Sequence, residues 1–239
     1  MNNLIAAVTR VRRRIDAACA RSARRSDAVT LIGATKHVPA DVIVAARAAG
    51  IRHFAENYAK ELEAKAREIE ATWHFIGTLQ AGTARKVADH ARVVHSAEPG
   101  GGLTVLARRA ASSGRILDCL AQVDFTGHRQ GVDPDDLDRF LEEAAALDGI
   151  RVVGLMTLPP LTPEPEHARP YFRRLRDLRD GLLGRWPTLR ELSMGMSADF
   201  EIAVEEGATM VRVGTALFGL RPRDGAVPGV SIEAPGDGA

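Results

Sequence analysis

Along the chain, short unbroken apolar runs alternate with longer stretches in which apolar residues recur three and four positions apart. These are the periods of a buried strand and of a helix with one covered face. Residues 29–35 form the first strand-like run, ending in Lys36-His37. Pro39 opens a helix carrying Val42, Ile43 and Ala46, and Gly50 closes it. Residues 53–55 lead to Glu56-Asn57 and a charged helix over 58–70. Residues 73–76 end in Gly77 before a helix over 83–91, and Val93-Val94 runs into His95-Ser96 before a helix over 101–112. Residues 116–123 end in Asp124 and the loop TGHRQGVDP, after which Pro134 starts a helix with Leu137, Phe140, Leu141 and Ala144 on one face. The run 151–156 precedes a proline-rich loop and a helix over 171–183. Residues 191–219, ELSMGMSADFEIAVEEGATMVRVGTALFG, supply two further strands with a helix after each.

Eight strand-then-helix units in this order predict a parallel sheet, because no Asn-Gly or Asp-Gly turn joins two strand-like runs directly; Asp148-Gly149 lies between a helix and a strand. Eight is the number at which such a sheet closes, so the expected fold is α/β: a single-domain (β/α)8 TIM barrel over residues 1–220. The alternative, an open doubly wound sheet, is weakened by the lack of a GxGxxG after the first strand. Residues 221–239, rich in Gly and Pro, are expected to be a disordered C-terminal tail. The arginine-rich N-terminus carries Leu4, Ile5, Val8, Val11, Ile15, Ala18 and Cys19 on one stripe, which predicts an amphipathic helix packed on the barrel rather than a transit peptide.

Composition narrows the function classes. Net charge is +1, from 32 basic and 31 acidic side chains, and aromatics are 5% of residues. Neither favours nucleic acid or an anionic membrane as partner, and no segment has the length and apolarity to span a bilayer. Cys19 and Cys119 stand far apart with no metal-ligand spacing, which fits buried thiols in a reducing, cytoplasmic setting. His74 and His95 flank apolar runs and read as hydrogen-bonded core histidines rather than ligands, so no metal site is expected. A GxSxG elbow is absent.

In a closed barrel the strand ends share one mouth. Here they read Lys36, Asn57, Gly77, His95-Ser96, Asp124, Met156, Ser193 and Gly214. The last two strands end in small residues whose backbone N–H groups suit a dianionic phosphate, though plain βα turns would read the same way. A desolvated lysine at that rim offers a neutral amine to an aldehyde. Lysine and phosphate cradle together are what pyridoxal 5′-phosphate (PLP) requires. Arg212, two residues before Gly214 and on the same face, is placed to donate to the pyridine nitrogen, which would weaken the ring as an electron sink. Against this stand a solvated rim lysine and an arginine paired with a carboxylate.

The blocks ATKHVP, HFAENYAKELEAK, WHFIGTLQ, VVHSAE, GLMTL and LSMGMSADFEIAVEEGATMVRVGTALFG resemble the pyridoxal phosphate homeostasis proteins (YggS/PROSC type), relatives of the alanine racemase N-terminal barrel. The resemblance spans roughly residues 31–219. It implies PLP held as an internal aldimine on Lys36 and phosphate contacts from Ser193, Met194, Ser197, Gly214 and Thr215. It also implies Arg212 at the ring nitrogen and Asn57 lining the pocket. Two departures stand out: Ala55 replaces the glycine of the family's FGENY, and Gln80-Ala81-Gly82-Thr83 replaces Gln-x-Asn-Lys, removing a lysine for which Arg85 and Lys86 are the nearest substitutes.

Such a family member is expected to bind PLP, serve vitamin B6 homeostasis and hand the cofactor to apo PLP-dependent enzymes, as a cytoplasmic monomer with no established turnover of its own. The alternative is a PLP-dependent amino-acid racemase. That reaction needs acid/base groups on both faces of the cofactor. The chain carries only Tyr58 and Tyr171 as tyrosines and ends about where the racemase's second domain would begin.

Overall fold

The computed structural model describes residues 2–160 and 162–219; the expected tail, 221–239, lies outside them. The first helix, α1 (Asn2–Arg21), lays Val8, Val11, Ile15, Ala18 and Cys19 into the core. Ile5, counted in the stripe, is 48% exposed instead. At 100° per residue it lies about 90° from the centre of that stripe, off the covered face.

Eight strands follow: β1 (Thr30–Ala34), β2 (His53–Glu56), β3 (Thr72–Phe75), β4 (Val93–Ala97), β5 (Leu117–Gln122), β6 (Ile150–Met156), β7 (Glu191–Ser193) and β8 (Met210–Val213). All neighbours are parallel, in sequence order, and β8 pairs with β1 to close the barrel. Between and after them run α2 (Ala40–Ala48), α3 (Ala59–Glu68), α4 (Ala81–His90), α5 (Gly101–Ser112), α6 (Leu137–Ala145), α7 (Arg169–Leu182), α8 (Phe200–Glu205) and α9 (Thr215–Phe218). The expected (β/α)8 barrel with an N-terminal helix is the observed one.

Side chains alternate along each strand, so half face the helices and half face the barrel axis. The outward set, with Phe54, Trp73, Phe75, Val94, Leu192, Val211 and Val213, joins the helix faces in the main core. A smaller apolar group, Val93, Leu120 and Met156, packs separately. Helix α1 is fastened to α8 by Arg14–Glu201 and Arg21–Glu205 ion pairs, and Arg24 reaches the carbonyls of Val204 and Ala208. Both cysteines are buried thiols, and burial pushes Cys119 up to about 12, leaving it protonated and inert. No helix among the described residues is long and apolar enough to cross a membrane.

Candidate cofactor site

Lys36 stands two residues beyond the end of β1, half-buried at the barrel mouth, with its Nζ 5.2 Å from the centroid of the Tyr58 ring. Both of its chain neighbours are clamped. The Thr35 hydroxyl bonds to the Ala55 carbonyl at 3.1 Å and donates to Glu56 Oε1 at 2.6 Å. On the other side His37 takes a left-handed φ of 57°, unusual for a residue with a Cβ. Its N–H donates to Glu61 Oε2 and its ring Nδ1 lies 2.9 Å from Glu61 Oε1.

Lys65 on α3 links these two clamps. Its Nζ donates to the Thr35 carbonyl (2.8 Å), to Glu56 Oε1 (2.6 Å) and to Glu61 Oε2 (2.8 Å), which uses all three ammonium protons. Burial pushes the Glu56 carboxyl above its ordinary range, against hydrogen bonds from Lys65 and Thr35 that pull it down. Glu56 is fully buried, and its second oxygen, Oε2, has no hydrogen-bond partner among the described residues. For Glu61, burial acts upward too, but the bonds from Lys65 and His37 outweigh it and hold the group below the usual carboxylate range. Neither clamp is legible in the sequence, where α3 shows only as a charged helix.

Asn57 follows β2 directly and is half-buried at the same mouth. A Cβ on Gly77, at the end of β3, would meet the Asn57 carbonyl oxygen at 1.9 Å, so only glycine lets the two strand ends approach this closely.

The remaining candidates lie on β7, β8 and the turns after them. Gly195 has φ 93°, and a Cβ there would sit 2.5 Å from that of Ala203. This lets the 194–198 turn fold down against α8, where Asp199 accepts from the Met196 N–H at 2.6 Å. The Ser197 hydroxyl accepts from the N–H groups of Gly214 and Ala216, at 3.1 and 3.2 Å. The two turns are thus joined through donors of the kind a phosphate oxygen takes up, and the exposed Thr215 lies between them. Met194 contributes differently, because its N–H is spent on the Met210 carbonyl in the sheet.

Ser193 is fully buried and faces the barrel axis. Its hydroxyl accepts from Nη1 of Arg212 and lies 2.8 Å from Nδ1 of His95. The structure therefore puts this side chain with Arg212, not with the turn N–H groups. Arg212 also donates from Nη2 to the Thr157 carbonyl at 3.1 Å. Its register opposite Ile32 sets it two inward positions below Lys36 on the neighbouring strand. Burial brings the guanidinium down to about 10, with Asp199 working in the opposite direction; it remains a cation at neutral pH.

His95 is hydrogen-bonded in turn to His74 at 2.8 Å, and His74 to His53 at 3.0 Å. These rings sit on β4, β3 and β2, spaced 21 residues apart in the chain. They form a line rather than converging on a point, and no group of three or more potential ligands among the described residues is placed to hold a metal. Of Arg85 and Lys86, the nearest substitutes for the missing lysine, Lys86 is ion-paired with Glu63 of α3.

The donors fit a phosphorylated aldehyde: an amine, a buried guanidinium and two facing turns lie around one mouth. Residues 9–222 match the alanine racemase N-terminal domain family. A pyridoxal phosphate homeostasis protein of Aquifex aeolicus is 39% identical over 220 residues, covering 90% of this chain and 96% of that one. Its counterpart in Escherichia coli K12 is 35% identical, over 92% and 98% of the two chains. This chain belongs to the pyridoxal phosphate homeostasis protein family. Among solved structures, PipY of Synechococcus elongatus with PLP bound is 37% identical. It superposes with a TM-score of 0.76 over 86% of this chain and all of that one. Alanine racemase of Clostridium difficile, 16% identical with a TM-score of 0.75, shares the fold.

Proposed function

We propose that this protein binds PLP at the barrel mouth through the Lys36 amine and acts in intracellular PLP homeostasis. The observation that carries the reading is the clamped Lys36 placed above a buried, charged Arg212, with two linked turns alongside. The family names and the PLP-bound PipY support it. When bound, the cofactor supplies an aldehyde reactive toward amines and an electron-withdrawing ring.

This chain's residues then divide the work. Lys36 provides the amine. Ser197, Gly214 and Thr215 receive the phosphate, with Met194 shaping the turn that carries Ser197. Arg212 donates toward the ring nitrogen and keeps it unprotonated, while Ser193 holds Arg212. Asn57 lines the wall. An arginine at that nitrogen restrains carbanion chemistry, so the site favours holding the cofactor over turning substrate over. We assign the protein to the cytoplasm, as a monomer that limits the free aldehyde and passes it to apo PLP-dependent enzymes.

The test is titration of the purified protein with PLP, followed by borohydride trapping and peptide mass analysis. A new absorption band and an adduct on the Lys36 peptide are expected. No adduct, or one on a different peptide, refutes the assignment.

A further inference from the structure

A guanidinium can only donate hydrogen bonds, and this sets a direction on everything connected to Arg212. Its Nη1 donates to the Ser193 hydroxyl, whose own proton has one acceptor among the described residues, Nδ1 of His95. His95 then carries its own proton on Nε2 and donates it to Nδ1 of His74. His74 donates from Nε2 to Nδ1 of His53. Burial holds His74 down to about 3 and His95 well below its ordinary value, so each ring is neutral and must choose one nitrogen.

His53 is the first residue of β2 and half-buried. The chain therefore starts under the mouth at Arg212 and ends at the barrel floor, the N-terminal end of the strands. Every ring in it turns a lone pair toward Arg212 and an N–H away. Dipoles aligned in that sense place their negative ends toward a cation that is only 3% exposed.

We propose that His95 and His74 are positioning residues for Arg212: acting through Ser193, they fix the orientation of its guanidinium and help hold the charge inside the barrel. The effect on the cofactor rests on reading Arg212 as the ring-nitrogen contact, whereas the chain itself needs no ligand.

Two measurements test this separately. In the protein without cofactor, long-range proton–nitrogen correlation spectra should show His74 and His95 as Nε2–H tautomers that do not titrate between about pH 8 and about pH 5. His95→Leu should speed hydrogen exchange at the Arg212 side chain by about tenfold or more. His95→Asn, whose carbonyl can replace Nδ1 as the partner of Ser193, should recover most of that protection.

In the PLP-loaded protein, His95→Leu should shift the absorption band or its pH midpoint in the same direction as Arg212→Gln, and weaken PLP binding about tenfold. If His95→Leu does not fold, His53→Phe at the half-exposed end serves instead: His74, whose Nδ1 still accepts from His95, should remain an Nε2–H tautomer. Nδ1–H tautomers at His74 or His95 overturn the proposal. So does a His95→Leu protein that matches wild type in Arg212 exchange and in its band while Arg212→Gln shifts that band. Faster exchange in His95→Leu with a band indifferent to Arg212→Gln upholds the chain and refutes the ring-nitrogen reading.

Discussion

The Lys65 ammonium donates to the main-chain carbonyl of Thr35 at 2.8 Å, so a lysine on α3 holds the peptide that carries Lys36. The same ammonium neutralises Glu56, which is 0% exposed. Removing one partner of a buried ion pair strands the other charge, which costs about 3–5 kcal/mol. Lys65→Met should lower stability by that order in urea unfolding, and adding Glu56→Gln should restore about 1 kcal/mol or more. If the two substitutions simply add, the pair is not coupled as its geometry indicates.

Lys36 is the amine on which the proposed binding turns. It is half-buried beyond the end of its strand, while the surrounding clamps run through Thr35, Glu56, Glu61 and Lys65. Lys36→Ala should remove the trapped PLP adduct and its band. A band of undiminished intensity in that variant would place the anchor on another lysine.

Acid should destabilise the protein through its buried rings. His74 moves from 6.5 to about 3 on folding, so between those values the unfolded chain binds the extra proton. Its contribution is complete above about pH 6.5 and is lost as pH falls toward about 3, with a slope approaching about 1.4 kcal/mol per pH unit. His95 is shifted in the same direction, whereas Glu56, raised by burial, acts in the opposite one. Comparing unfolding of wild type and His74→Gln at several pH values isolates the ring: the variant should show the shallower slope. Equal slopes would mean that His74 is already protonated in the folded state.

The barrel was readable from periodicity because a parallel strand buried on both faces leaves an unbroken apolar run, and each run here ends in a turn residue. Lys36 and Arg212 were readable for the same reason, as charges placed against such runs. The role of the Ser193 side chain was not. A serine at a strand end looks alike whether it faces a turn or the axis, and the choice follows from its position beside Arg212 and His95. The histidine line needed the order β2, β3, β4 and the stagger between strands, since His74 stands opposite Val93 and not opposite His95. The even spacing of His53, His74 and His95 was its one trace in the sequence. Lys65 gave a fainter trace: it lies three residues after Leu62, on the buried face of α3, where a lysine needs a partner.

Two glycines near the mouth separate a steric requirement from a mere absence of side chain. A Cβ on Gly77 would lie 1.9 Å from the Asn57 carbonyl oxygen and 3.0 Å from its Cα, and both are backbone that cannot rotate away. Gly77→Ala should therefore push the end of β2 outward, cost about 2 kcal/mol or more and weaken PLP binding by displacing Asn57. Gly82, in the first turn of α4, has nothing within 4 Å of the same added atom. Gly82→Ala should leave PLP binding intact and stabilise the helix by up to about 1 kcal/mol. Chemical unfolding and PLP titration of the two variants side by side check the contrast. A Gly77→Ala protein with wild-type stability and affinity would show that the close approach of β3 to Asn57 is not what shapes the mouth.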